Sequence, residues 1–214
     1  MANSTECYII AGILHSKIKS NMNRHELEHI IRAAGEIADV NKVIIFGSQS
    51  ILAQFPELSP SNAALADSDM ATIQENREIL IRSIEADIMV PDSQEKTDLI
   101  EGAIGELSLF HDTFGYYAQG VDRTTSKLPD GWESRLIEIC NENTNYVSGM
   151  CLEVHDLMIS KLYAGRKKDI EFFMAAVKMG LLFEETLRER LALTTFADER
   201  RRSMLKHIER GFSK

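Results

Sequence analysis

The chain has 214 residues, 44% apolar and 27% charged, with 12 glycines and 4 prolines. That balance suits one large globular domain, or one domain with a small appendage, and excludes collagen-like, coiled-coil and disordered classes. The net charge of −9 is uneven: residues 1–160 carry 11 bases and 25 acids, whereas residues 161–214 carry 13 bases and 8 acids, so a basic end able to meet phosphates follows an acidic body.

In chain order, residues 5–20 and 23–39 read as helices. The second opens on Asn23 with Glu26 three residues on, a capping-box spacing, and carries an apolar stripe of Leu27, Ile30, Ile31 and Ala34. The run Val43-Ile44-Ile45-Phe46 is short and continuously apolar, as expected of a strand buried on both faces. It stops at Gly47-Ser48, and 49–54 reads as a helix start. Residues 56–68, with Pro56 and Pro60, read as a loop. A second strand is expected within 79–90, closed by Pro91, then a helix over 92–107. Strands follow at 116–121, 135–140 and 149–154, with a polar turn at 141–148. From Asp156 the pattern is helical, broken near Gly165, Gly180 and Thr194-Thr195. The architecture is therefore α/β (α+β), a small mixed sheet between helices, with a helical C-terminal region. The organisation expected is an extension at 1–21, a core at 22–155 and a helical region at 156–214 packed on it.

No apolar run approaches the roughly 20 residues that span a bilayer, so no membrane role is expected. The stretch 8–14 follows Glu6 and no base, unlike a signal peptide. Cys7, Cys140 and Cys151 have no CxxC or repeated spacing, which points to reduced thiols and a cytoplasmic protein.

Three constellations could carry chemistry. The first is a strand running into Gly47-Ser48 and a helix, followed by Glu85-Ala86-Asp87 on the next strand. Glycine lets a backbone approach a phosphate closely, and amides at the following helix start point at it. Residues i and i+2 of a strand share a face, so Glu85 and Asp87 would present two carboxylates together. Their mutual repulsion is relieved by a divalent cation, and Mg²⁺, which bridges to substrate phosphates, suits such a pair. A plain acidic pair on an edge strand is the competing reading.

The second is His25-Glu26-Leu27-Glu28-His29, an HExxH on a predicted helix. That spacing puts two imidazoles on one face with a glutamate beside them, as in zinc peptidases. The heavy charge of the segment favours an ordinary solvated helix face. The third is Lys161 through Asp169, where Lys161, Arg166 and Lys168 could converge on an anion and stabilise charge on a triphosphate, or simply sit in water. The dipeptides His111-Asp112 and His155-Asp156 lack the further His and Asp of a metal phosphohydrolase.

In this order, Phe46-Gly47-Ser48-Gln49-Ser50, then Ser83-Ile84-Glu85-Ala86-Asp87, then Leu152 to Leu157 with Lys161-Leu162 and Ala164-Gly165-Arg166-Lys167-Lys168-Asp169, the chain resembles bacterial nucleotidyltransferase-fold proteins. It is most similar to an uncharacterised group in their minimal and AbiEii-type, toxin-like branch. The segment 110–121 and Leu128-Pro129 with Gly131-Trp132 share that similarity, which runs from about residue 22 to about 182.

The resemblance implies that Gly47, Ser48 and Gln49 hold the triphosphate of an NTP. Glu85 and Asp87 would bind Mg²⁺ or Mn²⁺, and a third carboxylate on a later strand, Asp122 first and Glu153 second, would activate the attacking group. Lys161, Arg166 and Lys168 would hold phosphates, leaving pyrophosphate or acceptor. The acceptor would be tRNA or a protein, in a toxin or phage-defence setting with a cognate antitoxin. Two departures stand out: Glu85 replaces the usual first aspartate, and the stretch from Ser48 to Glu85 is long. Both favour an alternative, a catalytically inactive binding protein that keeps the fold.

Overall fold

A computed structural model describes residues 21–58 and 68–213; the predicted helix at 5–20 and most of the predicted loop lie outside the described residues. Helix α1 (Arg24–Ala38) begins with the expected capping box. The Asn23 side chain accepts from the Glu26 N–H at 3.1 Å, and the Glu26 carboxylate accepts from the Asn23 N–H at 2.8 Å. Its stripe of Leu27, Ile30, Ile31 and Ala34 is fully buried.

Strands β1 (Lys42–Phe46), β2 (Glu85–Met89), β3 (Tyr117–Gly120), β4 (Ile137–Ile139) and β5 (Ser148–Cys151) form one sheet in the order β3-β2-β1-β5-β4. β1 runs antiparallel to β2 and parallel to β5, β3 runs parallel to β2, and β4 antiparallel to β5. β1 lies at the centre, and Val43 to Phe46 are all buried, so both faces of the sheet are covered.

One cover is α1 with α4 (Gln94–Ile104), for which α2 (Ile51–Gln54) and α3 (Ser68–Ile81) precede β2 in the chain. A Cβ placed on Gly149 of β5 would lie 2.3 Å from Ile31 of α1, and one on Gly120 of β3 would lie 2.8 Å from Glu101 of α4. The alternate side chains of β2 and β3 therefore point to the opposite face. Helices α6 (Val154–Ala164), α7 (Lys167–Lys178), α8 (Glu184–Ala192) and α9 (Asp198–Phe212) follow β5 and share one continuous hydrophobic core with the sheet.

The structure differs from the sequence reading at particular places. α3 lies in a stretch with no apolar stripe to announce it, and its last turn takes residues 79–81 away from the expected strand. A short helix, α5 (Leu109–Phe114), closed by Gly115 in the left-handed conformation, precedes β3. The last expected strand is shorter, because Glu153 caps α6 and Val154 already belongs to it. The breaks at Gly165 and Gly180 are observed, both with positive φ. Among the described residues no helix is long and apolar enough to cross a membrane.

The contact between α1 and β5 predicts that Gly149→Val destabilises the protein by about 1–3 kcal/mol through overpacking against Ile31. Gly102→Ala, inside α4 with open space around it, should stabilise it by up to ~1 kcal/mol. Urea melts of the two variants check the pair.

Candidate active site

β1 delivers the chain to Gly47, whose φ of +67° places it in the left-handed region, and a 3₁₀ turn over Ser48–Ser50 follows. The turn is tied down from beneath. Ser50 donates its hydroxyl to the Ile45 carbonyl at 2.8 Å, and the Gln49 amide donates to the Ser83 carbonyl at 2.8 Å. Gln49 is fully buried and braces the loop before β2, so it supports the turn instead of lining the cleft.

Antiparallel pairing sets Phe46 opposite Asp87. A Cβ on Gly47 would lie 2.1 Å from an Asp87 carboxylate oxygen, so only glycine fits there. Glu85 and Asp87 share the face of β2 turned away from α4. Tyr117 and Gln119, their partners on β3, lie on that face as well. The Tyr117 hydroxyl donates to Glu85 at 2.9 Å. The amide end of Gln119 lies 3.2 and 3.3 Å from the two Glu85 carboxylate oxygens, spacings that a nitrogen donor satisfies.

The opposing wall is α6 and the start of α7. Lys161 is buried, and its ammonium donates to the Ser48 hydroxyl at 3.0 Å, sits 4.2 Å above the Phe172 ring and lies 3.6 Å from Asp169. Buried Asp169 also accepts from Arg166 at 2.6 and 3.3 Å. Arg166 and Lys168 are exposed and line the cleft, which has a volume of about 640 Å³. Of the sequence-predicted residues, Gly47, Ser48, Glu85, Asp87, Lys161, Arg166 and Lys168 all line this one cleft.

Neither third-carboxylate candidate lines the cleft, although Val121, next to Asp122, does. Asp122 is two residues beyond β3, exposed, and accepts from both the backbone N–H and the hydroxyl of Thr124. Glu153 is the N-cap of α6. It accepts from the backbone N–H groups of His155 and Asp156 and from the His155 ring at 2.7 Å. The HExxH residues build other things. Glu26 closes the capping box, and the His29 ring bonds the Tyr116 hydroxyl at 2.7 Å among Phe110 and Phe114, while His25 is exposed. Among the described residues no group of three His, Cys, Asp or Glu side chains is placed to hold a metal ion, so a zinc-peptidase centre is not assembled.

Sequence reasoning missed Tyr117, Gln119, Asp169 and Phe172. Alternation along β3 carried the signal for the first two, since residues 117 and 119 share a parity. Asp169 follows Arg166-Lys167-Lys168 in a charged run, whose alternative reading is charge in water.

Asp87 and Lys161 are both shifted by their surroundings. Burial, then repulsion by Glu85 and a hydrogen bond with it, push the Asp87 carboxyl up to about 7, against the pull of Lys161 and Lys168. Burial brings the Lys161 ammonium down to about 8, although Asp169 and Asp87 work to keep it charged.

A family model described as "Nucleotidyltransferase of unknown function (DUF6036)" matches residues 25–213. The chain belongs to this nucleotidyltransferase family. No curated protein and no solved structure matched it. The match spans the sheet, the glycine turn and the helical wall, so every cleft residue described above falls within the family region.

Folding leaves Asp87 holding a proton that the unfolded chain, with a carboxyl near 3.8, has already released. The stability of cation-free protein should therefore fall as pH rises from about 4 to about 7. Unfolding in EDTA across that range should show the slope, and Asp87→Asn should flatten it; an unchanged slope would contradict a buried, protonated Asp87.

Proposed function

We infer that the cleft binds an NTP together with Mg²⁺ or Mn²⁺ and transfers its NMP to a hydroxyl of a macromolecule, RNA (tRNA included) or protein. One observation carries this reading: a glycine-only turn, an acidic pair and a buried lysine meet at one point, with Gly47 against Asp87 and Lys161 bonded to Ser48. The donor set fits a hard divalent cation. Glu85 and Asp87 are adjacent carboxylates on one face, and burial first, then repulsion by Glu85, raises the Asp87 carboxyl to about 7. A cation bound to them would neutralise phosphate charge and favour in-line displacement.

The chain's own residues do the rest. The Ser48 hydroxyl and the backbone of the turn after Gly47 would hold phosphate oxygens, and Lys161, already aimed at Ser48, would meet their negative charge in a partly dry site. Arg166 and Lys168, exposed at the rim, would hold the departing pyrophosphate or the acceptor. The acceptor oxygen would bond to the α-phosphorus as the bond to pyrophosphate breaks, and its proton would pass to water in the open cleft. The resemblance to toxin-like relatives supports placing this activity in a toxin or phage-defence context with an antitoxin partner.

A second reading is supported by Asp122 and Glu153 not lining the cleft and being held by Thr124 and by the N-terminus of α6. With no third free carboxylate among the described lining residues, the protein would bind NTP and serve as a non-catalytic switch or scaffold.

Incubation with each α-labelled NTP, Mg²⁺ and total RNA or protein separates the two. Transfer predicts label in an acceptor that disappears with Asp87→Ala and falls roughly 10²–10³-fold with Lys161→Met. NTP binding without label in any fraction supports the switch, and absence of NTP binding contradicts both.

A further inference from the structure

We propose that the cleft is built for a single divalent cation, and that Gln119 is the residue that holds it to one. The proposal rests on the nucleotide-binding reading above and concerns how many ions that site accepts.

Two-cation phosphoryl-transfer sites place their ions roughly 3.5–4 Å apart. Ions that close repel strongly, so such sites need a carboxylate between the cations and further carboxylates around them. Among the described residues this cleft offers two free carboxylates, Glu85 and Asp87. Asp169 also lines it, but it is buried and bonded to Lys161 and Arg166, so its charge is already committed. Strand register decides what comes next. Asp87 pairs with Gln119 across the parallel β2–β3 ladder, and both side chains lie on the cleft face. The two positions that face the acidic pair on the adjoining strand are thus filled by Tyr117 and a neutral amide, neither of them a carboxylate.

Gln119 also acts on Glu85. With its nitrogen turned toward the carboxylate, its 3.2 and 3.3 Å spacings are donor contacts, and the Tyr117 hydroxyl adds a donor at 2.9 Å. Two neutral donors fix the Glu85 head group and occupy part of its acceptor capacity. A cation shared by Glu85 and Asp87 then has its ligands set in place, while a second finds no further free carboxylate among the described residues. Gln119 is in this sense a positioning residue, and the neutrality of its amide sets the stoichiometry.

Native mass spectrometry with Mn²⁺ and a non-hydrolysable NTP analogue counts the ions directly, and electron paramagnetic resonance tells an isolated Mn²⁺ from a coupled pair. The expected result is one Mn²⁺ per analogue-bound chain with an uncoupled spectrum, rising to two coupled ions in Gln119→Glu. Gln119→Asp, one methylene shorter, is the second variant should the first fail to fold. Two coupled ions in the unmodified protein would overturn the single-cation proposal and leave the nucleotide reading standing. Neither Mn²⁺ nor analogue bound would overturn both. A single ion persisting in a folded acidic variant would overturn the assignment to Gln119.

Discussion

The approach of Asp87 to the backbone of Gly47 ties the two halves of the cleft together, and much else in the molecule follows from it. A turn that would cradle phosphate is pressed directly against a carboxylate, an arrangement that repels an anion unless positive charge intervenes. The contact exists because β1 and β2 are antiparallel neighbours with Phe46 opposite Asp87, which brings the end of one strand beside the second carboxylate of the other. A side chain on Gly47 would have to displace that oxygen, and at a φ of +67° any residue but glycine is strained.

The helical region supplies the positive charge that this contact requires. α6 starts directly after β5, with Glu153 capping its N-terminus, and this anchors Lys161 two turns along opposite Ser48. Burying an ammonium is costly unless it is paired. Here Asp169, itself buried, and the Phe172 face provide that pairing. α7 contributes Asp169 and Phe172 as well as the exposed Lys168, so the first turns of one helix hold the buried lysine and also charge the rim. The basic excess after residue 160 is thus partly structural and partly directed at the cleft.

Much of this was legible in the chain itself. The unbroken apolar run of β1, the glycine after it, and the i, i+2 acids announced the turn and the carboxylate face, because buried parallel-type strands and two-residue alternation leave plain patterns. Lys161 and Arg166 were legible as a cluster, although only the tertiary packing reveals that Asp169 is buried between them. The third carboxylate was not legible. Asp122 follows β3 closely in sequence, but the strand ends at Gly120, and its side chain turns back on Thr124. Glu153 is drawn into a helix cap by the backbone N–H groups of α6, a local bond that sequence alternation does not register. The HExxH spacing was real as a pattern, yet its glutamate and second histidine serve a capping box and an aromatic cluster.

We read the glycine turn, the acidic pair and Lys161 as one nucleotide site. Crystals grown with Mn²⁺ and a non-hydrolysable NTP analogue, with data collected at the manganese absorption edge, test it most directly. The expected result is an anomalous peak against Glu85 and Asp87, with the triphosphate on Gly47 and Ser48 and within reach of Lys161. A nucleotide bound elsewhere on the protein, or a peak remote from β2, would contradict it.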